Sequence, residues 1–241
     1  MGGSARDPML VPQTAKALRI FRRESPVHVL GPYARAVIWV QGCAFHCPNC
    51  IVPESWDFAG GFSVEIASLA EWICDQNVEG ITLSGGEPMS QARPLCELID
   101  QVRMRRDVGV LCYTGFALAH LRARGDSQQK SLLSRIDLLI DGVYLAEGHA
   151  DLLWRGSRNQ NLNLLTSRYA EVTVALQRER GDRSAGVEMT MDEAGAIGFA
   201  GVPAKPGFRD EFVRRMGLRG IRLAIDEPDK VQQPATKGDA A

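Results

Sequence analysis

Cys43, Cys47 and Cys50 fall within eight residues, spaced C-x3-C-x2-C, directly after the apolar run Ala36-Val-Ile-Trp-Val40. Three thiolates on one tight loop can wrap a cubane cluster and ligate three of its four irons. A protein that only stores or passes electrons normally supplies four cysteines. Three leave one iron open, by the logic that separates catalytic from structural zinc sites. An open iron can take the amino and carboxylate groups of a substrate. The same residues admit other readings: a zinc knuckle completed by His46 or a distant cysteine, or a disulfide. His46 is awkward as a fourth ligand because it adjoins Cys47.

A second chemistry-bearing segment is Ser84-Gly85-Gly86-Glu87-Pro88, about 35 residues after the last cysteine. Paired glycines let a backbone approach a ligand and free its amides and carbonyls for hydrogen bonding. Alone, such a turn is more often a plain loop. It gains weight one βα unit past the cysteines, where a parallel fold sets neighbouring strand ends side by side.

The elements that must position these residues are legible from hydrophobic spacing. Leu18–Phe21, Ala36–Val40, Gly80–Ser84, Val108–Tyr113 and Ile136–Ile140 read as strands. Helices are expected on Ile66, Leu69, Ala70 and Ile73 with Ser63 as cap, on Leu95 to Val102 with Pro94 in the first turn, and on Leu118 and Leu121. Strand and helix alternate four times, which argues for parallel βαβ units with the active face at the strand C-termini. The fold class is α/β, a partial, open βα barrel with a small C-terminal hairpin and helix. Glu171–Leu176 reads as a strand, and Val187–Met191 and Ala196–Ala200 as a hairpin about Asp192–Gly195. A helix near Phe208–Met216 and a short strand Ile221–Leu223 follow. The divisions are a disordered arm 1–16, a core 17–170, an extension 171–224 packing on it, and a disordered tail 225–241.

A chain of 241 residues, 45% hydrophobic, fills one core rather than two. A net charge of −1 gives no electrostatic mandate to bind nucleic acid or an acidic membrane. Neither a signal peptide nor a membrane span is recognisable, so a cytoplasmic location is expected, where thiols stay reduced. In that setting the isolated Cys74, Cys96 and Cys112 read as small buried hydrophobes. Tyr113, Trp39 and Trp56 read as core or rim residues. His28, His46, His120 and His149 have no paired spacing and read as structural or surface residues.

The cysteine loop and the Gly-Gly-Glu-Pro turn together resemble the radical S-adenosylmethionine (SAM) superfamily, most closely its small glycyl-radical-enzyme activases, especially those of anaerobic ribonucleotide reductase. The likeness extends over about residues 17–169, through Gly31-Pro32, Arg35, Pro53–Asp57, Gly60-Gly61, Gln91, Tyr113-Thr-Gly115, Asp137–Gly142 and Arg155–Gln160. It implies that Cys43, Cys47 and Cys50 hold a 4Fe–4S cluster whose fourth iron chelates the methionyl amino and carboxylate groups of SAM. Gly85, Gly86 and Glu87 would bond the SAM amino group, and a valine at position 86 would fill space the ligand needs. Asn49, where the superfamily often has an aromatic or apolar residue, would lie by the adenine as a polar contact. Ser157 and Asn159 would bind the ribose or carboxylate, and Asp137 and Asp141 are further candidates at a strand end. One-electron cleavage would give methionine and a 5′-deoxyadenosyl radical that abstracts hydrogen.

By resemblance the target is a protein, a glycyl radical enzyme, and the electron comes from a reductant such as flavodoxin or ferredoxin. Ile51-Val52 stand where the activases commonly have an asparagine, and the chain is longer than the smallest activases. These departures bear on the target, so a maturase or small-molecule enzyme reusing the same core is the alternative. A third reading is a non-catalytic iron–sulfur electron carrier. The extension 171–224 is expected to recognise the substrate and to be dispensable for the cofactor chemistry.

Overall fold

The computed structural model describes residues 16–191 and 197–221. The expected tail, the turn at Asp192–Gly195, all of the expected arm but Lys16 and all of the expected strand Ile221–Leu223 but its first residue lie outside these residues. Among the described residues, eleven strands and six α-helices follow in the order β1 (Ala17–Val27), β2 (Arg35–Val40), β3 (Phe62–Glu65), α1 (Ile66–Cys74), β4 (Gly80–Gly85), α2 (Ala92–Arg103), β5 (Gly109–Thr114), α3 (Leu118–Arg124), α4 (Ser127–Leu133), β6 (Leu138–Asp141), β7 (His149–Leu152), β8 (Arg155–Ser157), β9 (Asn161–Leu164), α5 (Ala170–Arg180), β10 (Gly186–Met191), β11 (Ile197–Val202) and α6 (Phe208–Leu218).

Seven strands form one mixed sheet in the order β3-β1-β2-β4-β5-β6-β9. Its centre, β2, β4, β5 and β6, is parallel, as the alternation of strands and helices predicts. β1 and β9 add to the two sides antiparallel, and β3 pairs outside β1. The pairing leaves β3 and β9 as the sheet's two edges, so the α/β class holds with a mixed, open sheet.

Strand β2 is buried at every position because both faces of the sheet are covered. Alternate side chains serve two different cores. Ala36, Ile38 and Val40 face the helices, against Leu69 and Ile73 of α1 and Leu95, Leu98 and Ile99 of α2. Val37 and Trp39 face the opposite side, where they meet Val27, Leu30 and Ala200 of β11. Beside this second core lie Leu111, Leu138, Ile140 and Trp154, with Val172 and Leu176 of α5 packed on them. The extension is therefore what covers the face that the helices leave bare.

Three local expectations are corrected. Residues 171–176 are helical, not extended: Val172 and Leu176 sit four apart on the face that meets Trp154, and Gly181, in the left-handed region at φ 60°, ends the helix. Ser63 is not a helix cap. It pairs with Arg19 inside β3, and the N-cap position falls on Glu65. Helix α4 was not anticipated, although Asp126 and Gln129 form a reciprocal capping box at its start.

Candidate functional site

The three cysteines sit on the loop that leaves the C-terminal end of β2, and the loop is tied down at both ends. The Gly42 amide donates to Ser55 O at 2.8 Å and the Cys43 amide to Trp56 O at 2.9 Å. Gln41 reaches under the loop, its Nε2 donating to Glu54 O and Asp57 O at 3.0 and 2.6 Å. Between the ends, His46 and Asn49 adopt positive φ, 46° and 60°, which bends the chain tightly around the thiols. Phe45 packs edge-on to Phe116 at 5.1 Å, and the His46 ring stacks on Trp56 at 4.9 Å.

All three thiols are free; Cys43 is buried, and Cys47 and Cys50 are half-buried. Burial pushes the Cys43 thiol up to about 11, against the opposing pull of the Phe45 and His46 amides. Burial likewise raises Cys50, against the Val52 amide and the Trp56 indole. These N–H groups are the donors that a thiolate bound to iron needs, once metal has replaced the proton. Three free thiols on one loop held from beneath, with N–H donors on the sulfurs of Cys43 and Cys50, are the type of ligand an iron–sulfur cluster takes. Cys96 and Cys112 are buried and Cys74 is half-buried, all three packed with the helix-side core, as expected for structural cysteines.

A cavity of about 640 Å³ opens beside the loop, over the sheet face away from the helices, within the size range of cofactor sites. The loop lends Asn49, Cys50 and Trp56, and the strand ends lend Trp39, Ser84, Gly85 and Tyr113. Tyr144, His149 and Trp154 form a third side. The extension closes the fourth with Phe199, Phe208 and Arg209. Arg209 is ion-paired with Glu54 of the cysteine loop, and the Arg22 guanidinium, which stacks 3.9 Å from the centre of the Trp39 ring, donates to Phe199 O. Phe199 in turn meets Phe212 of α6 edge-on at 4.9 Å.

Asn49 and Gly85 thus lie on the cavity wall, whereas the other expected contacts have different duties. Gly86 is pressed against the cysteine loop: a Cβ there would stand 2.3 Å from Gly42 O, and at Gly85 one would stand 2.6 Å from Val40 backbone atoms. The adjoining amides bond across the same seam, Gly86 N to Val40 O at 2.7 Å and Glu87 N to Gly42 O at 2.8 Å. The glycines are needed first for this backbone approach. Gly86→Val is therefore expected to loosen the cysteine loop itself, lowering iron uptake severalfold along with any response to SAM. Iron content of the reconstituted variant checks this; full iron with only the SAM response lost would restore the simpler view of ligand space.

The Glu87 carboxylate turns inward. It accepts from the Met89 amide, the Gly115 amide and the Thr114 hydroxyl, each at 2.8 Å, and so clasps the ends of β4 and β5. Burial outweighs those three donors and pushes its pKa up to about 7 from an ordinary 4.5. Between these values the unfolded chain releases the proton before the folded one, so stability of the iron-free protein falls as pH rises from 4.5 to 7, by about 3 kcal/mol in all. Denaturant melts across that window should show the slope, and Glu87→Gln should flatten it.

Ser157 and Asn159 hold their own loop. Ser157 Oγ accepts from the Leu145 amide at 3.1 Å, and Asn159 Nδ2 donates to Val143 O at 2.8 Å. Their neighbours Gly156 and Gln160 line the cavity instead. Asp137 binds Arg103, Thr166 and the Val110 amide, and Asp141 binds Asn161 and the Leu118 amide. Both carboxylates are buried braces. Tyr113, Trp39 and Trp56, expected at the core or rim, and His149, expected to be structural or at the surface, all line the cavity.

Residues 29–163 match a family described as "4Fe-4S single cluster domain". The chain is similar to the anaerobic ribonucleoside-triphosphate reductase-activating protein of Vibrio cholerae, with 33% identity over 153 residues, 58% of this chain and 95% of that relative. The protein of the same name from Pasteurella multocida is 34% identical over 143 residues, covering 55% and 88% of the two chains. The Escherichia coli K12 one is 31% identical over 147 residues, covering 56% and 92%. Among solved structures, QueE from Escherichia coli matches 86% of this chain and 92% of its own at 14% identity and a TM-score of 0.39, too loose a likeness to bear on the site. No helix among the described residues is long and apolar enough to cross a membrane. Matched over residues 29–163, and aligned with nearly the whole length of its activating-protein relatives, the chain belongs to the 4Fe–4S single cluster domain family and to the family of anaerobic ribonucleoside-triphosphate reductase-activating proteins.

Proposed function

We propose that this protein is a cytoplasmic radical SAM activating enzyme that removes a hydrogen atom from a glycyl radical enzyme, an anaerobic ribonucleoside-triphosphate reductase. Its sheet is read as the open, partial barrel of the radical SAM type. Cys43, Cys47 and Cys50 would hold the 4Fe–4S cluster, three ligands for four irons. Bound there and reduced by a flavodoxin or ferredoxin, the cluster and SAM would supply one-electron C–S cleavage chemistry. The observation that carries this reading is the three-thiol loop on the wall of a cavity large enough for the cofactor, in a chain whose relatives are named as reductase-activating proteins.

The chain's own residues bind, orient and exclude water. Gln41 and the Gly42–Ser55 bond hold the cysteine loop, whose Asn49, Cys50 and Trp56 line the cavity. The Ser84 hydroxyl and the backbone of Gly85, on the cavity wall, would offer acceptors to a SAM amino group, with Gly86 and Glu87 bracing their turn from behind. Asn49 offers an amide to the adenine. Trp39, Trp154 and Phe199 wall the cavity with apolar surface, which protects a carbon radical from solvent. The test is to mix the reconstituted, reduced protein with SAM and its cognate reductase. A glycyl radical resonance on the reductase is the expected result; 5′-deoxyadenosine without that radical would reject this target. The wall supplied by Phe199 and Phe208 favours a small-molecule substrate as the second reading.

A further inference from the structure

The cysteine loop ends in the short turn Pro53–Ser55, whose middle residue, Glu54, is held twice. Its backbone is tied to the core: Glu54 O accepts from Gln41 Nε2 at 3.0 Å, and Ser55 O accepts the Gly42 amide at 2.8 Å. Its side chain is tied to the extension through the ion pair with Arg209 of α6, where the two side chains are only 21% and 26% exposed. Burial works against the Glu54 charge, but the Arg209 bond, with the charge of Arg22 added, outweighs it and holds the carboxyl below its ordinary range. Arg22 itself bonds Glu24 and Phe199 O. Among the described residues, the direct side-chain bond to Glu54 is therefore Arg209's.

Arg209 is anchored in its turn. Phe208, the residue before it, meets Phe199 of β11 edge-on at 5.5 Å, and Phe212 meets the same ring at 4.9 Å. The start of α6 is thus fixed on β11, and the ion pair carries that placement to the loop that bears Cys50, four residues before Glu54. Cys50, Glu54 and Arg209 all line the cavity. The Glu54 bond supports the Arg209 cation against burial, and the charges of Asp210 and of a Cys50 thiolate add to that support. Glu54 lies within the family match, residues 29–163, and Arg209 outside it. A cation from beyond the shared domain is therefore bonded to the cysteine loop and stands within electrostatic reach of one of its thiols. A cluster gains a negative charge on one-electron reduction, which a nearby cation favours. We propose that Arg209 is a positioning residue for the cluster: through Glu54 it holds the cysteine loop in its cluster-bearing form, and its charge favours the reduced cluster. This rests on the reading of Cys43, Cys47 and Cys50 as the cluster ligands.

Arg209→Gln and Glu54→Gln each break the ion pair, and Arg209→Lys keeps the charge. Two readouts need neither SAM nor a partner enzyme: the rate at which a chelator strips iron from the anaerobically reconstituted protein, and the reduction potential of the cluster. Both glutamine variants should lose iron about tenfold faster than the wild type, with Arg209→Lys recovering most of the difference. Their potentials should move in opposite directions, down without the Arg209 cation and up without the Glu54 carboxylate. Loosening of the loop alone would not give shifts of opposite sign. Wild-type iron retention in both glutamine variants would overturn the proposal and leave the pair an inert bond at the cavity edge. So would potentials that move the same way in both, or in neither. A wild type that takes up no iron overturns the cluster reading and the proposal together, whereas an error confined to Arg209 shows in the variants alone.

Discussion

Alanine at position 43, 47 or 50 is expected to abolish the cluster, each replacement singly, where the wild type takes up about four irons and four sulfides per chain. Each thiolate holds a separate iron, so no cysteine can stand in for another. The structure supplies no spare: Cys96 and Cys112 are buried in the helix-side core and Cys74 packs against it, away from the cavity. Cys74→Ala, Cys96→Ala and Cys112→Ala should therefore leave iron content unchanged, with at most a modest loss of stability from the small cavity left behind. Iron and sulfide assays on the six variants after anaerobic reconstitution decide the point. An essential role for any of the latter three would mean that the cluster has four protein ligands and no open iron.

Truncation after Ala170 is expected to abolish SAM cleavage and partner turnover together. The expectation from sequence was of an extension that packs on the core, recognises the substrate and is dispensable for the cofactor chemistry; it covers one face of the sheet. Removing it uncovers Val37, Trp39, Leu111 and Ile140, each no more than 2% exposed in the intact chain. Each such side chain accounts for about 1.5–3 kcal/mol when fully buried, against a whole-protein stability of about 5–15 kcal/mol. It also takes away Phe199, Phe208 and the Arg209 partner of Glu54, one wall of the cavity. Arg214→Ala with Arg215→Ala is the contrasting change. Both side chains are exposed and share Glu211 as partner, so SAM cleavage should be unaffected. A soluble 1–170 fragment with full SAM cleavage would show that the covering face is dispensable.

What the sequence made legible was the parallel centre and the cysteine loop. Ala36–Val40 and Val108–Tyr113 are continuous apolar runs, and that is how strands buried on both faces read. The α2 stripe from Leu95 to Val102 and the Gly85-Gly86 turn were equally plain. Helix α5 was misread because Val172, Thr173 and Val174 are β-branched, and local preference yielded to the packing of Val172 and Leu176 on Trp154. The glycine turn was located correctly for an incomplete reason: the nearest obstacle to a side chain at 86 is the Gly42 carbonyl, a contact with the cysteine loop that spacing does not reveal. Tyr113 within an apolar run reads as core, and His149 lies 36 residues further along with nothing local to mark it. Only the fold brings the two to one cavity, and the same holds for Phe199 and Phe208.

The central claim is that three cysteines and an open iron cleave SAM reductively. It is tested most directly by adding SAM to the anaerobically reconstituted protein under dithionite and measuring 5′-deoxyadenosine and methionine. The account predicts that both products form in equal amounts in the wild type, that SAM alters the paramagnetic resonance of the reduced cluster, and that Cys47→Ala makes neither product. A stable, reducible cluster whose spectrum ignores SAM and which yields no 5′-deoxyadenosine would contradict it and make the protein an electron carrier.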